Sequence, residues 1–251
     1  MAAERTAGPA EDTVAPADDL TDRHLWLLPE AATEAFVARM GGTALLTDDE
    51  RARCERPLAA RSRLRRVAAL LLARHALGAV SGLPAAAWRF RLTPDGRPEP
   101  CAPAGTGLRF NLSHTDGLIV CVVTDAGRAC GVDAERSPAG PDAVAHLPRH
   151  FAGPERADLA ALTDERARAA RVAAYWVLKE AYLKALGTGL RRALSGFAFT
   201  GLPGPRIEVH ESGRPVAGWQ FDLIRPTPQH VVAVATERSR PGGLRTVTLS
   251  G

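Results

Sequence analysis

The spacing of apolar and polar side chains along the chain predicts two long helices. From about Asp164 to Leu186, apolar residues recur every three or four positions, and Gly187-Thr188-Gly189 follows as a stop signal. Between Leu64 and Leu77, leucine and valine occupy one side of a second predicted helix and arginines occupy the other. Just before it, Thr47 and Glu50 have the spacing of a capping box, which predicts the start of a shorter helix.

Short apolar runs between turn residues predict the strands. Leu118 to Val123 is rich in β-branched residues and bounded by turns, so a buried strand is favoured over a helix. Asp125-Ala126-Gly127 should turn the chain back, which makes Arg128 to Glu135 the predicted partner strand of a hairpin. Further strands are predicted at residues 24–28, 197–200, 206–210, 219–224 and 230–236 and just before Ser113. Phe90 to Pro98 is predicted to be a strand that ends in a turn.

Each half of the chain thus runs from helices into strands, which indicates an α+β fold with two similar subdomains joined near residues 124–130. Residues 21–127 would form the N-terminal subdomain and residues 128–238 the C-terminal one. Residues 1–20 contain almost no large apolar side chains, so a disordered tail is predicted there. Residues 239–251 are predicted to be a loose C-terminal tail.

Composition is that of an ordinary globular protein, with 45% of the 251 residues hydrophobic and 24% charged. No apolar run approaches the length of a membrane span, and the N-terminus lacks the residue order of a signal peptide, so no membrane is expected as a partner. The four cysteines have no paired metal spacing, which predicts reduced thiols and a cytoplasmic location. A net charge of +4 favours an anionic partner.

Lysine is the most informative residue type in the sequence. Lys179 and Lys184 are the only lysines, and every other residue among the 32 basic ones is arginine. A compact ammonium differs chemically from a planar guanidinium, so a site that needs a point charge would keep lysine. Glu180 and Lys184 are four positions apart and project from one face of the predicted helix. A surface ion pair is the alternative, but the rarity of lysine favours a functional site.

Two other groups of polar residues carry candidate chemistry. Asp133 and Glu135 are two positions apart in a predicted strand, so both carboxylates would lie on one face, and such hard oxygen ligands suit Mg²⁺. Ordinary surface carboxylates near a turn are the alternative. Ser113 and His114 begin a polar cluster after a predicted strand that could bind phosphate, although a lone histidine is more often structural.

An arginine-rich stretch extends from Arg51 to Arg74. A solvated basic face is the simplest explanation, and phosphate or nucleic-acid binding are the alternatives. Aromatic side chains for base stacking are missing between the arginines, so a nucleic-acid partner is not expected.

Three stretches together resemble the ordered signatures of 4′-phosphopantetheinyl transferases of the Sfp (surfactin-synthetase) type. The match extends over roughly residues 45–236, most of the chain. Each motif is short, and the specificity lies in their order and spacing. The three stretches are Phe110-Asn111-Leu112-Ser113-His114, Gly131-Val132-Asp133-Ala134-Glu135 and Trp176-Val177-Leu178-Lys179-Glu180-Ala181-Tyr182-Leu183-Lys184-Ala185. The helix around Arg65 to Arg74, the Gly96-Arg97-Pro98 turn and Phe151 followed by Glu155 also fit.

The resemblance implies a fold and an activity. Two α+β subdomains would be related by a pseudo-twofold axis, with coenzyme A in the cleft between them. The activity would be Mg²⁺-dependent transfer of 4′-phosphopantetheine from coenzyme A to a serine of an apo acyl, peptidyl or aryl carrier protein, with release of 3′,5′-ADP. Mn²⁺ is expected to substitute for Mg²⁺. A monomer is expected, with a carrier from fatty-acid, polyketide or nonribosomal-peptide synthesis.

The resemblance also implies roles for residues at the matching positions. The implied metal ligands are Asp133, Glu135 and Glu180. The implied catalytic residues are Glu180, Lys184 and Glu155, with Lys184 at the phosphate under attack and either Glu155 or a metal-bound water as the base for the carrier serine. The implied coenzyme A contacts are Arg53, Arg65, Arg97, Ser113, His114 and Lys179.

The sequence departs from the family pattern at three positions. Glu50 stands where one member type has a basic residue, Arg97 replaces the usual lysine, and Ala134 is smaller than the customary residue. A Mg²⁺-dependent phosphohydrolase or nuclease built on Asp133 and Glu135 is an alternative function. A non-catalytic module that binds coenzyme A or nucleic acid is another, but its lined-up carboxylates would repel an anion unless a cation intervened.

Overall fold

A computed structural model describes residues 23–55, 59–94, 96–238 and 243–250 of the chain. Its mixture of helices and strands confirms the mixed fold class, and the tail predicted at residues 1–20 lies outside the described residues. The helices are α1 (Thr33–Arg39), α2 (Asp48–Glu55), α3 (Ala60–Ser81), α4 (Pro141–His146), α5 (Gly153–Ala161) and α6 (Glu165–Leu186). The strands are β1 (Arg23–Pro29), β2 (Arg89–Leu92), β3 (Pro98–Ala102), β4 (Arg109–Thr115), β5 (Leu118–Thr124), β6 (Cys130–Arg136), β7 (Ala198–Thr200), β8 (Glu208–Glu211), β9 (Arg214–Pro215), β10 (Trp219–Thr227), β11 (His230–Glu237) and β12 (Arg245–Thr248).

The helix ends form where the local signals predicted them. At the start of α2, Thr47 N donates to Glu50 Oε2 at 2.9 Å and Glu50 N donates to Thr47 Oγ1 at 3.3 Å, which is the predicted capping box. Helix α6 begins after Asp164, whose carboxylate accepts a hydrogen bond from Ala167 N at 2.6 Å. It ends at Gly187, which adopts the left-handed conformation with φ of 69°. No described helix is long and apolar enough to cross a membrane.

The two main sheets lie between the two long helices. Helix α3 packs on one face of the sheet ordered β12–β1–β5–β4, and α6 packs on one face of the sheet ordered β10–β11–β6. The other faces of the two sheets pack against each other, where Val120 and Val122 join one core with Val132 and Val234. Alternate residues of β5 therefore enter different cores, which explains why all of its residues are buried.

The predicted hairpin between β5 and β6 is wrong. Both edges of β5 are occupied, because β1 and β4 each pair with it in antiparallel orientation. Strand β6 belongs to the other sheet, where Asp133 stands opposite Ala233 of β11. The turn near Gly127 thus carries the chain from one sheet to the next. Local apolar pattern identified both strands, but it carries no information about which strands pair.

The prediction of a loose C-terminal tail is also wrong for the described residues 243–250. Strand β12 pairs in parallel with β1, so the end of the chain returns to complete the sheet of the N-terminal half. Leu249 is buried in the core under α3, and its backbone N donates to Leu27 O at 2.9 Å. These contacts lie far apart in sequence, which is why the short apolar stretch alone did not predict a strand.

Candidate active site

A cavity of about 680 Å³ opens where α2, α3 and α6 meet the ends of β4 and β6. It brings together residues that are far apart in the sequence, including most of those predicted to form the site. Its polar wall consists of Glu50, Arg53, Arg66, Ser113, His114, Asp133, Glu135, Glu180 and Lys184. Its apolar wall includes Leu70, Phe90, Leu92, Leu112 and Trp176.

Three carboxylates line this cavity and lie near enough to influence one another. Asp133 and Glu135 come from β6, and Glu180 comes from α6. Asp133 is buried, whereas Glu135 and Glu180 are half-buried. Burial and, after it, the charge of Asp133 raise the pKa of both Glu135 and Glu180 above the ordinary glutamate value. The three groups therefore repel one another in the absence of an added positive charge.

The donor set fits a hard divalent cation. Within the described residues, Asp133 Oδ2 and Glu180 Oε1 are buried oxygens without a hydrogen-bond partner. Such oxygens are costly to bury alone and are the ligands that Mg²⁺ prefers. The described side chains do not form a ready cluster of three metal ligands. A full protein cluster is not required, because Mg²⁺ commonly keeps several waters and takes few carboxylates beside substrate phosphates.

Lys184 supplies the positive charge beside these carboxylates. Its Nζ donates to Asp133 Oδ1 at 2.6 Å, to Ser113 Oγ at 3.1 Å and to Val132 O at 3.1 Å. Ser113 Oγ in turn donates to Asp133 Oδ1 at 2.8 Å. The three donors of one ammonium group thus meet three acceptors in a small space, and part of the side chain remains exposed to the cavity. An ammonium group held in this way, with part of its surface open to the cavity, can bind and polarise a phosphate.

Comparison with known proteins identifies the family. A family model for the 4'-phosphopantetheinyl transferase superfamily matches residues 129–235. The 4'-phosphopantetheinyl transferase HetI of Nostoc sp. is 33% identical over 170 residues, which cover 67% of this chain and 70% of that protein. The chain belongs to the 4′-phosphopantetheinyl transferase superfamily. It is therefore an enzyme, a 4′-phosphopantetheinyl transferase.

Two further matches are shorter. The L-aminoadipate-semialdehyde dehydrogenase-phosphopantetheinyl transferase of Eremothecium gossypii is 41% identical over 85 residues, which cover 32% of this chain and 30% of that protein. The crystal structure of Thermotoga maritima holo-[acyl-carrier-protein] synthase is 25% identical and has a TM-score of 0.35, over 45% of this chain and 64% of that chain.

Glu155 and Lys179 lie outside the cavity wall of the transferase. Both side chains are completely buried, with Lys179 Nζ 2.9 Å from Glu155 Oε2. Lys179 Nζ also donates to the carbonyl oxygens of Leu194 and Phe197, each at 2.7 Å. Burial raises the pKa of Glu155 and lowers that of Lys179, and their mutual attraction opposes both shifts.

The implied roles of these two residues do not fit this geometry. Glu155 Oε1 accepts from Phe199 N at 2.8 Å and Oε2 accepts from Ala152 N at 2.9 Å, so both oxygens are occupied inside the protein. A carrier serine cannot approach a carboxylate with no exposed surface. The pair instead connects α5 and β7 to α6. The connection to α6 is made at Lys179, the residue directly before Glu180.

Arg97 has a structural position as well. Its guanidinium donates to Lys184 O at 2.5 Å, to Phe110 O at 3.1 Å and to Cys130 O at 3.2 Å. These carbonyl groups belong to α6, β4 and β6, so one side chain joins the three elements that carry the site. A phosphate contact was implied for Arg97, but its NH1 and NH2 groups are already engaged with protein carbonyls.

Arg65 is engaged by two carboxylates. It donates to Glu30 Oε1 at 3.0 Å and to Asp116 Oδ1 at 2.9 Å, and it is not part of the cavity wall. The hydrogen bond from Arg61, with further ones from the Gly117 backbone and Arg65, lowers the pKa of Glu30 to about 2. Glu30 therefore stays ionised and keeps Arg65 in place.

Among the cavity-wall residues missing from the predicted site, three have polar contacts. Arg66 follows Arg65 in the sequence and faces the cavity, where its NH1 donates to the backbone oxygen of Arg53 at 3.0 Å. Trp176 donates a hydrogen bond to Glu135, and its place at the start of the third motif was the available signal. Glu50 is buried and accepts from Arg74 at 2.7 Å. Glu50, which departs from the family pattern, thus forms the capping box and this ion pair.

Proposed function

We propose that this transferase is of the Sfp type and moves 4′-phosphopantetheine from coenzyme A to a serine of an apo carrier protein. The serine hydroxyl gives up its proton to a water molecule, and its oxygen forms a bond to the phosphorus that bears the pantetheine arm. The bond from that phosphorus to the bridging pyrophosphate oxygen breaks, and 3′,5′-ADP leaves. The observation that carries the proposal is the joining of Asp133, Glu180 and Lys184 with a separate cluster of cations in one cavity.

The carboxylate end is the proposed reaction centre. Asp133, Glu135 and Glu180 would hold Mg²⁺, or Mn²⁺ in its place, and the bound cation would neutralise the pyrophosphate and the developing charge on the leaving group. Phosphoryl transfer depends mainly on positioning and on charge stabilisation, so no covalent role for a side chain is needed. Lys184 is proposed to share its ammonium between Asp133 and the phosphate under attack.

The arginine end is the proposed site for the nucleotide. Arg53, Arg66 and His114 line the cavity and carry the donors that a 3′-phosphate requires. Ser113 stands between the two ends, since its hydroxyl contacts both Asp133 and Lys184. The engagement of Arg65 by carboxylates supports the assignment of Arg66 in its place.

The arrangement of the two halves supports the finer fold proposal. Helices α3 and α6 each contain 22 residues, and each covers an antiparallel set of strands in its own half. We propose that residues 21–127 and 128–238 form subdomains related by a pseudo-twofold axis, with the cavity between them. The strand β12 breaks that symmetry by joining the first sheet.

The carrier and the setting are also proposals. The proposed partners are acyl, peptidyl or aryl carrier proteins of polyketide or nonribosomal-peptide synthesis, modified by a monomer of this chain. The predicted cytoplasmic location stays a prediction.

Incubation with Mg²⁺, coenzyme A and a purified apo carrier protein tests the activity. We expect the carrier to gain the mass of one phosphopantetheine group, with equal amounts of 3′,5′-ADP released. Replacement of the carrier serine by alanine should abolish both products. Release of nucleotide without carrier modification would instead identify a phosphohydrolase.

A matched pair of variants separates phosphate binding from structural support. Arg97→Met removes a donor to three carbonyl groups, so we expect the free energy of unfolding to fall by at least about 2 kcal/mol. At about 2–4 °C per kcal/mol for a chain of this size, the melting temperature should fall by at least about 4 °C. Arg53→Met removes a cation from the cavity wall, so we expect it to leave the melting temperature unchanged.

In substrate recognition the pattern should be reversed, with Arg53→Met impaired and Arg97→Met unaffected. Wild type should prefer coenzyme A to its 3′-dephospho form by about tenfold or more, since one charge-assisted hydrogen bond contributes about 1.5–3 kcal/mol. Arg53→Met should reduce this ratio of kcat/KM values, and Arg97→Met should preserve it. A reduced ratio in Arg97→Met with a normal melting temperature would restore the phosphate role implied for Arg97.

Replacement of Lys184 by arginine is expected to be nearly as damaging as replacement by alanine. The ammonium meets three acceptors within 3.1 Å, and a wider planar guanidinium cannot occupy the same space. Small displacements near the reacting atoms can lower a rate about a hundredfold, so turnover at saturating coenzyme A and carrier should fall by that order. Retention of most of the turnover would show that only the charge of Lys184 matters.

A further inference from the structure

Strands β4 and β6 belong to different sheets, yet they run side by side along the cavity and are joined by side chains. Three residues of β4 at alternate positions share one face, and their partners follow in the same order along β6. The three hydrogen bonds run from Val132 N to Asn111 Oδ1 at 2.9 Å, from Ser113 Oγ to Asp133 Oδ1 at 2.8 Å and from Thr115 Oγ1 to Glu135 Oε2 at 3.2 Å. Two of the three proposed cation ligands are therefore each held by a hydroxyl of β4.

Thr115 differs from Ser113 in what it can contact. Ser113 is shared between Asp133 and Lys184, and it stands in the wall of the cavity itself. Thr115 is buried and does not line the cavity, so a substrate cannot reach its hydroxyl. Its hydrogen bond to Glu135 satisfies a buried polar group and at the same time fixes one oxygen of that carboxylate.

The turn that follows Thr115 is held from both halves of the protein. On one side, Glu30 Oε2 accepts from Gly117 N at 2.8 Å and Arg65 donates to Asp116 Oδ1 at 2.9 Å. On the other side, Nε2 of His230 in β11 pairs with Asp116 O at 2.8 Å. A Cβ atom on Gly117 would lie 3.0 Å from this imidazole, so the turn and His230 are in close contact. The end of β4 is thus fixed where its hydroxyl meets Glu135.

We propose that Thr115 is a positioning residue for the divalent-cation site and acts through Glu135. Its hydroxyl donates to Glu135 Oε2 and so limits rotation of the carboxylate. Glu135 is then already oriented for the cation and loses little conformational entropy when the cation binds. Partners of this kind, one step removed from the metal, orient its ligands and raise affinity. The proposal rests on the proposed function, because it requires that Glu135 bind the cation.

Isosteric substitution tests the role of the hydroxyl. Thr115→Val removes the hydroxyl and keeps the volume, Thr115→Ser keeps the hydroxyl, and Thr115→Ala serves if the valine variant fails to fold. Thr236→Val is the matched control, because Thr236 is also buried in a strand but its Oγ1 has no partner among the described residues. Glu135→Gln removes the proposed ligand charge itself. The measurements are Mn²⁺ binding by electron paramagnetic resonance in the presence of 3′,5′-ADP, and the Mg²⁺ concentration that gives half-maximal transfer.

We expect Thr115→Val to weaken Mn²⁺ binding by about 10- to 100-fold, the usual effect of losing such a partner. The half-activating Mg²⁺ concentration should rise by a similar factor, while kcat at saturating Mg²⁺ and the KM for coenzyme A stay near wild type. Thr115→Ser should restore binding, and Thr236→Val should leave it unchanged.

Two results would overturn the proposal and differ in what they imply. A folded Thr115→Val variant with wild-type Mn²⁺ affinity, beside a Glu135→Gln variant with weakened affinity, would reject Thr115 alone. Wild-type Mn²⁺ affinity in Glu135→Gln would reject the cation role of Glu135 as well, and with it that part of the proposed function.

Discussion

Asp133→Asn is expected to lower phosphopantetheine transfer by about a thousandfold. Asp133 stands at the centre of the proposed reaction centre, where it accepts hydrogen bonds from Ser113 and Lys184 and keeps a second buried oxygen, Oδ2, without a partner among the described residues. An asparagine has the same size and can accept the same hydrogen bonds, but it is neutral and a poor ligand for Mg²⁺. Loss of about 4 kcal/mol of charge stabilisation from a bound cation corresponds to that factor.

The variant should stay folded, because the substitution removes one of three mutually repelling carboxylates. The charge of Asp133 contributes to the raised pKa values of Glu135 and Glu180, so both pKa values should move back toward the ordinary glutamate value. Asp142→Asn is the control, since Asp142 is exposed in the first turn of α4 and outside the cavity wall. Single-turnover transfer and thermal unfolding are the measurements. Near wild-type transfer at saturating Mg²⁺ would remove Asp133 from the reaction centre.

Features that depend on neighbours in sequence could be predicted well. The capping box of α2 and the αL glycine after α6 involve residues within a few positions of each other, so the pattern alone located both helix ends. The positions of strands such as β5, β10 and β11 also followed from apolar runs, whereas β12 was not predicted. Strand pairing did not follow from such runs, because β5 has neighbours on both edges and β6 pairs with a strand almost 100 residues later. Nothing in the local pattern distinguishes such partners.

The two lysines show that prediction from local sequence is limited in the same way at the candidate site. Each ammonium has three acceptors within about hydrogen-bond range, which is the geometry that a point charge serves and a planar fork does not. The rarity of lysine therefore identified two positions with a strict chemical need. It could not show that Lys184 faces the cavity whereas Lys179 holds Glu155 in the core. That difference depends on which side of α6 each residue occupies relative to elements far away in sequence.

Gly131→Ala is expected to disrupt the protein more than any other small substitution in the second motif. Strand β6 lies so close to α6 that a Cβ atom at position 131 would be 2.0 Å from Ala181 O and 2.5 Å from Ala185 N. Both contacts are with backbone atoms of a helix, which cannot rotate away as a side chain can. The strand would have to move from α6, and this movement would separate Asp133 from Lys184.

Overpacking of this kind costs about 1–3 kcal/mol or more, and the backbone contacts place Gly131→Ala at or above about 3 kcal/mol. At about 2–4 °C per kcal/mol, the melting temperature should fall by at least about 6 °C. Gly153→Ala is the matched control, because a Cβ atom there meets no other atom within 4 Å. Transfer measured well below the melting temperature should fall in Gly131→Ala even where the protein is folded, since the distance from Asp133 to Lys184 increases. If Gly131→Ala has the same stability and activity as Gly153→Ala, then β6 and α6 are farther apart than the 2.0 Å distance from the added Cβ atom to Ala181 O indicates.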